Sequence, residues 1–255
     1  MQVVLSKDSI GEFYHDQFVE DQVRSFTGLL KHEMVPGCVV VDVGGGYGYF
    51  AKAVRDGFRA GIRVIDSDAQ SVEHCRQSGV DAELGDALAV SPRGDEVVVC
   101  FNLILHHLVG ASAQATKSMQ IKAISDWTSS DAKIFVNEYI YESSGLTGFS
   151  AWLIWIVTSS KMLSKLGSAI SAIVPSLRAN TFGVGVRFRT ANQWIALFRS
   201  AGYDVIGQVR GLDEPVSWAR RMMLIKHCRR DSFLLQRRSV KLAQSAVDSG
   251  LKSDF

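Results

Sequence analysis

A glycine-rich turn between an apolar strand and a helix restricts the fold of this chain more than any other feature. The apolar run Val39–Val43 contains one acidic residue, Asp42, and Gly44, Gly46 and Gly48 follow it at alternate positions. Glycine has no Cβ and adopts positive φ at little cost, so the backbone of such a turn can lie directly against a ligand. The pattern therefore predicts a β-α unit with a ligand-binding turn.

The spacing of the glycines argues against two common phosphate-binding motifs. The dinucleotide fingerprint G-x-G-x-x-G needs a small residue at position 49, where this chain has Tyr49, which disfavours NAD and FAD. The P-loop ends in Gly-Lys-Ser/Thr, and the turn has no such ending, so a P-loop is excluded. What remains is an acidic residue followed by three glycines at alternate positions.

An acidic residue at the end of the next strand supports a nucleoside ligand. The apolar run 62–66 ends in Asp66, about 20 residues beyond the glycines, and Ser67 follows it. In a nucleoside-binding β-α-β unit, a carboxylate at this place accepts hydrogen bonds from the ribose hydroxyls. Asp68 is instead predicted to cap the helix that begins at Ala69. Asp66 is therefore the predicted ribose ligand.

Three further apolar runs predict strands at residues 80–84, 95–101 and 132–139. Strands that alternate with helical patterns predict a parallel sheet wound in right-handed β-α-β units, with the strand ends at one edge. The residues at or just after these strand ends are Gly85, Asp86 and Ala87, then Phe101, Asn102, His106 and His107, then Asn137, Glu138 and Tyr139.

These segments together resemble the class I S-adenosylmethionine (SAM)-dependent methyltransferases. The acid-x-G-x-G-x-G pattern resembles their motif I, and the run Leu105–Leu108 resembles the Leu-His-His-Leu sequence that often follows the fourth strand of small-molecule members. The resemblance implies an α/β, Rossmann-like sheet of seven mostly parallel strands in the order 3-2-1-4-5-7-6, with the last strand antiparallel. It further implies strands at 203–209 and 219–226, after a helix that begins near Asn192 and ends before Gly202.

SAM is the cofactor that the resemblance implies. Asp86 is expected at the adenine amino group, and the predicted N-terminal helix, residues 7–32, is expected to pack over the cofactor cleft and bring Tyr14 near it. The expected cofactor-binding residues are Tyr14, Asp42, Gly44, Gly46, Gly48, Asp66, Ser67, Gly85, Asp86, Ala87, Phe101 and Asn102.

The candidate catalytic residues follow from the chemistry of methyl transfer. The protein must align the acceptor with the methyl group, exclude water and, for a hydroxyl acceptor, remove a proton. His106 and His107 are candidate bases, and adjacent helical residues point about 100° apart, so at most one faces the substrate. Glu138 is expected to bind a substrate amine, to orient a histidine or to pair with a lysine. No metal site is predicted.

Two reactions remain open on this fold. The first is methylation of a small metabolite, in secondary metabolism, at O, N, S or C. The second is intramolecular closure of SAM to azetidine-2-carboxylate and methylthioadenosine, for which Asn137 and Tyr139 would supply hydrogen-bonding groups. A non-catalytic SAM-binding module is disfavoured because the motif, Asp66 and Asp86 are intact.

Composition favours a cytoplasmic enzyme with a small-molecule substrate. The net charge is +2 and the cations are dispersed, so no nucleic-acid partner is expected. The four cysteines form no C-x-x-C pair, which argues against a zinc cluster or a disulfide framework. The N-terminus lacks the apolar region of a signal peptide.

We expect one domain over residues 1–255, with an N-terminal helical cover at 1–35, an inserted helical lid at 141–190 and a C-terminal tail at 231–255. The lid has one carboxylate against five cations, and its apolar run 149–157 is shorter than the ~18–20 residues of a membrane span, so no membrane insertion is expected. A capping lid is favoured over a surface that rests on a membrane or a partner. The lid is also a candidate homodimer interface.

Two arginines near the end of the lid are candidates for substrate binding. In the run 181–189, apolar and cationic side chains alternate, which allows Arg187 or Arg189 to contact a substrate carboxylate. The same alternation also fits two arginines on a solvated strand face.

Overall fold

Seven strands form a single sheet, and its order confirms the predicted fold class. The structure, a computed structural model, describes residues 16–90, 92–145, 149–159 and 185–238. The strands are β1 Val39–Val43, β2 Gly61–Asp66, β3 Asp81–Leu84, β4 Glu96–Asn102, β5 Lys133–Ser143, β6 Tyr203–Val209 and β7 Ile225–Arg237. Their order is β3-β2-β1-β4-β5-β7-β6, and β7 runs antiparallel to both of its neighbours while the other pairs are parallel.

Helices cover both faces of this sheet. They are α1 Asp16–Leu30, α2 Tyr49–Phe58, α3 Ala69–Gln77, α4 Ala113–Ser125, α5 Phe149–Ser159, α6 Ala191–Ser200 and α7 Trp218–Met222, with single 3-10 turns at Leu105–His107 and Asp126–Ser129. Within the described residues, no helix has the length and apolar character that crossing a membrane requires.

The alternation of side chains along the central strands separates two hydrophobic cores. In β4, Val98 and Cys100 belong to the core beneath α1 to α3, whereas Val99 and Phe101 belong to the core beneath α4 and α6. Strands buried on both faces read as continuous apolar runs, which is why β1 and β4 are easy to recognise from sequence. Their carboxyl ends are thereby fixed at one edge of the sheet.

Two predicted helix boundaries are confirmed by their caps. The Asp68 carboxylate accepts hydrogen bonds from the backbone N–H groups of Gln70 and Ser71, so α3 begins at Ala69. α6 starts after Thr190, which forms a capping box with Gln193, and the chain leaves this helix before Gly202, whose φ is 90°.

The predicted position of the last strand was wrong. Of the residues predicted as that strand, 219–226, the first four belong to α7, because the Ser217 hydroxyl accepts a hydrogen bond from the Arg220 N–H and starts a helix there, and the last two belong to β7. β7 instead runs over Ile225–Arg237, where Phe233 pairs with Val136 of β5. The first seven residues of the predicted tail, 231–237, are therefore strand, and residues 239–255 lie outside the described part of the chain.

The N-terminal cover and the lid are described only in part. α1 begins at Asp16 within the predicted helix 7–32, and residues 1–15, including Tyr14, lie outside the description. β5 continues to Ser143, so residues 141–143 of the predicted lid are strand. α5 is the described helix of the lid, and residues 160–184 are outside the description. The division into cover, lid and tail stays a prediction.

Candidate active site

The glycine-rich turn is shaped for the close approach of backbone and side chains. Gly44, Gly46 and Gly48 have φ of 70°, 54° and 75°, a region that other residues rarely adopt. A Cβ on Gly44 would lie 2.0 Å from Cδ1 of Ile104. The backbone N–H of Gly46 donates to Oδ2 of Asp66 at 2.9 Å, which ties the turn to the end of β2.

Asp42 and Asn102 form a buried pair at the ends of β1 and β4. Nδ2 of Asn102 donates to Oδ1 of Asp42 at 3.1 Å. Oδ2 of Asp42 and Oδ1 of Asn102 are also buried, and neither has a hydrogen-bond partner in the described part of the chain. Burial raises the pKa of Asp42 to about 7, against the opposing effect of the Asn102 hydrogen bond. Two buried acceptors without donors are costly, and they fit a ligand that supplies N–H groups.

Asp66 lies at the end of β2 with capacity for further hydrogen bonds. Its Oδ1 accepts from the Asp68 N–H at 2.9 Å and its Oδ2 accepts from Gly46. The Ser67 N–H is a third backbone donor to this carboxylate. A carboxylate has about four acceptor sites, so about one remains for a ligand such as a ribose. Burial raises the pKa of Asp66. Gly85 donates to the Asp66 carbonyl at 2.9 Å, which brings the predicted ribose-binding and adenine-binding segments together.

The other residues predicted at the cofactor differ in their accessibility. Ser67 and Asp86 are exposed, and Oδ1 of Asp86 accepts from the Leu88 N–H at 2.9 Å in a local turn. The side chains of Ala87 and Phe101 are buried in the hydrophobic core, Phe101 completely. For those two residues, only the backbone is left for the predicted contact.

Glu138 and His106 form a buried acid–imidazole pair where β4 ends. β5 was predicted to end at residue 139 but continues to Ser143, so Glu138 lies inside this strand, one residue past the level of Asn102. Oε2 of Glu138 lies 2.7 Å from Nδ1 of His106, and Oε1 accepts from the His106 backbone N–H at 3.3 Å. Glu138 is completely buried, and Oε2 also accepts from the Tyr139 N–H at 3.2 Å. Of the roles predicted for Glu138, the geometry matches the one in which it orients a histidine.

Aromatic rings fix the position of His106. Its ring stacks on Phe188 with centroids 4.9 Å apart and meets Tyr139 edge-on at 5.8 Å. Phe188 stacks in turn on Tyr141 at 4.2 Å. The His107 ring lies 4.1 Å from that of His106, and burial, with the neighbouring His106 as a second cause, holds the pKa of His107 well below its usual value.

Asn137 and Tyr139 differ in their relation to this pair. Nδ2 of Asn137 donates to Oγ of Ser232 at 2.8 Å, and its Oδ1 accepts from Gln22 of α1 at 3.4 Å. The Asn137 amide is thus hydrogen-bonded on the face of the sheet that α1 covers. Glu138, the next residue of the strand, points to the other face and binds His106. Tyr139 contacts the His106 ring, and burial raises the pKa of its phenol.

The two arginines predicted at the substrate have different surroundings. Nε and Nη2 of Arg189 both donate to Oε1 of Gln120, at 3.1 and 2.5 Å, and its guanidinium lies 5.5 Å from the Trp194 ring. The Arg187 guanidinium lies 5.8 Å from the Trp155 ring, and its Nη1 is buried without a hydrogen-bond partner in the described part of the chain.

Gln120 is the residue of this site that sequence reasoning missed. Its Oε1 accepts from Arg189, and its Nε2 donates at 2.8 Å to the carbonyl of Leu105, the residue directly before the histidines. It is a buried glutamine inside α4, and no local pattern distinguishes it from an exposed helical glutamine. Among the described residues, no cluster of three or more histidine, cysteine or acidic side chains could hold a metal ion.

Comparison with known proteins identifies the fold. No protein-family model and no curated protein matches the sequence. Among solved structures, the MccD protein aligns with a TM-score of 0.56 at 10% identity, over 84% of this chain and 96% of its own. Magnesium protoporphyrin IX methyltransferase (ChlM) from Synechocystis PCC 6803, solved with bound S-adenosylhomocysteine (SAH), aligns with a TM-score of 0.52 at 12% identity, over 93% and 90%.

The pyocyanin biosynthetic protein PhzM aligns with a TM-score of 0.52 at 17% identity over 84% of this chain. The chain spans about half the length of the larger structures that it matches, 54% of PhzM and 46% of LepI in its complex with SAM. The strand order, the antiparallel β7 and these alignments agree with one another. The chain therefore has the fold of the class I SAM-dependent methyltransferases.

Proposed function

We propose that the protein is a SAM-dependent methyltransferase that acts on a hydroxyl group of a small metabolite, in a biosynthetic pathway of secondary metabolism. The observation that carries this proposal is the buried Glu138–His106 pair, which lies where β4 ends, and β4 is the neighbour of the strand β1 that leads into the glycine turn. An oriented imidazole beside a SAM site is the arrangement that deprotonation of an acceptor requires.

The residues at the ends of β1, β2 and β4 fit SAM. Oδ2 of Asp42 and Oδ1 of Asn102 are buried acceptors that suit its ammonium group, and the Asp66 carboxylate suits its ribose. When bound, SAM supplies a methyl group that its sulfonium activates toward a nucleophile. The neighbours ChlM and LepI were solved with SAH and SAM respectively, which supports the same cofactor here.

The proposed role of His106 follows from its hydrogen bond to Glu138. A carboxylate only accepts hydrogen bonds, so the proton between the two groups belongs to Nδ1, and in the neutral imidazole Nε2 is then the unprotonated nitrogen. Nε2 takes the proton of the acceptor hydroxyl as the oxygen attacks, and the adjacent Glu138 stabilises the resulting imidazolium. A hydroxyl needs this help more than a neutral amine or a thiolate does, which is why a hydroxyl acceptor is proposed.

Methyl transfer is favoured over cyclisation of SAM by one specific contact. Asn137 was one of the two groups predicted to assist the cyclisation, and its amide is engaged by Ser232 and Gln22. The cyclisation stays the alternative reaction for the same cofactor site.

Product analysis with purified protein and SAM tests the proposal. We expect SAH to accumulate only after an acceptor is added, for example from a library of phenols and hydroxy acids. Methylthioadenosine formed from SAM alone would establish the cyclisation instead. If calorimetry of ligand-free, folded protein detected no heat with either SAM or SAH, the cofactor assignment itself would be wrong.

A further inference from the structure

Arg187 links the described helix of the lid to the turn that carries the proposed base. Its backbone N–H donates to the carbonyl of His106 at 2.8 Å, and its side chain lies over Trp155 of α5. The Nη1 atom is buried without a partner in the described part of the chain. Burial lowers the pKa of Arg187, which means that the folded chain leaves this cation poorly compensated.

Arg189 does not compensate this charge and adds to it. Its donors are directed to Gln120, which is neutral. Burial lowers the pKa of Arg189 to about 10, and the charge of Arg187 acts in the same direction. Glu138 is the nearby carboxylate that opposes this effect, and its oxygens are already hydrogen-bonded to His106.

The one carboxylate of the predicted lid, Glu142, pairs with Arg229, and the rest of the lid cannot provide the missing anion. Residues 143–190 contain no aspartate or glutamate, so the part of the lid outside the description has no carboxylate to offer. A buried guanidinium donor without an acceptor costs free energy. The negative group that suits it must therefore come from outside this segment.

We propose that Arg187 binds a carboxylate of the methyl acceptor, so that the substrate class is a hydroxy acid with a flat apolar body. This inference rests on the proposed function, since it concerns the same acceptor. A single guanidinium matches one negative charge, and Arg189 is not free to help neutralise a phosphate dianion. The rings of Phe188 and Tyr139 contact His106, and the ring of Trp155 contacts the Arg187 guanidinium, so aromatic surface lies at both groups and suits an aromatic body.

Binding to the SAH-saturated protein tests this proposal. The probes are 2-, 3- and 4-hydroxybenzoate, and the neutral controls are the corresponding hydroxybenzamides. Titration calorimetry is expected to show at least one benzoate binding about ten- to hundredfold tighter than its amide, as a charge-assisted bidentate contact predicts. In Arg187→Gln this preference is lost, whereas in Arg187→Lys, which keeps the charge, a part of it remains.

Arg221→Gln is the matched control, because it removes an exposed cation of α7 and should leave the preference unchanged. Equal affinity for every benzoate and its amide, or a preference that survives in Arg187→Gln, would overturn the inference. SAH affinity is measured in each variant, since its retention shows that the variant is folded. If the wild-type protein itself did not bind SAH, that result would instead contradict the proposed function.

Discussion

The Glu138 carboxylate is hydrogen-bonded to His106 at two points, the ring Nδ1 at 2.7 Å and the backbone N–H at 3.3 Å. The same carboxylate thereby fixes both the tautomer of the imidazole and the turn that carries it. Because Glu138 is completely buried, water does not compete for these bonds. The pair is therefore a rigid element of the site before any ligand binds.

Replacing each histidine in turn distinguishes the catalytic role of His106 from that of His107. We expect His106→Gln to lower kcat by about 10²- to 10⁴-fold while the Kd for SAM changes little, because general-base catalysis is lost and the cofactor contacts remain. His107→Gln is the control and should lower kcat much less. Steady-state kinetics and calorimetry measure the two quantities. An equal loss of kcat in both variants would show that His106 is not the base.

Glu138→Gln tests whether the carboxylate sets the tautomer. The amide has nearly the same shape but can donate to Nδ1, which would place the imidazole proton on Nε2, where a base must be free. We expect kcat to fall by about 10²-fold or more while the Tm shifts by only a few degrees. Glu138→Ala should lower the Tm further, since it leaves the buried His106 donors without a partner. Full activity of Glu138→Gln would exclude the tautomer argument.

The affinity for SAM is expected to rise with pH through the pKa of Asp42, about 7. A cationic ammonium binds best to the ionised carboxylate, so below this pKa the site must release a proton on binding. We expect the Kd to increase by up to about tenfold for each pH unit below 7. Calorimetry between about pH 5.5 and 7 checks this slope. Asp42→Asn should bind SAM weakly and without this slope, and an unchanged slope would assign it to another group.

Asp42 is also expected to lower the stability of the ligand-free protein near neutral pH. Its folded pKa of about 7 lies above the ordinary aspartate value of 3.8, so between pH 4 and 7 the folded state binds more protons than the unfolded state. Stability therefore falls as pH rises through this window, by on the order of 4 kcal/mol at most. Thermal melts should show Asp42→Asn gaining Tm relative to wild type at pH 8 and much less at pH 4. Equal gains at both pH values would contradict this account.

Asp66→Ala is expected to weaken SAM binding by about 1–3 kcal/mol, because charge-assisted hydrogen bonds to the ribose are lost. Asp81→Ala is a suitable control, since Asp81 is an exposed carboxylate at the other end of the sheet, at the start of β3. Calorimetric Kd values of both variants for SAM show whether Asp66 binds the ribose. An unchanged Kd in Asp66→Ala would mean that the ribose is held elsewhere.

Strand ends with local signals were predictable from sequence, and strands defined by distant pairing were not. β1, β2 and the Asp68 cap follow from apolar runs, glycines and a capping carboxylate that lie within a few residues of one another. The last strand was misplaced because residues 219–226 read as apolar, whereas the strand is selected by pairing of Phe233 and its neighbours with β5 about 100 residues earlier. Such pairing leaves no local periodicity to read.

The sequence by itself determined the fold class and the polar residues at the ends of β1, β2 and β4, since parallel strands end at one edge wherever their runs end. Asn137 and Glu138 meet this edge from inside β5, level with the end of β4. Only the tertiary structure decided how neighbours at this edge divide their roles. Asn137 and Glu138 are adjacent, yet one bonds Ser232 and the other holds His106, because successive side chains of a strand point to opposite faces. Arg187 and Arg189 are two residues apart, yet Arg189 donates to Gln120 of α4, whereas the Arg187 guanidinium lies over Trp155 of α5.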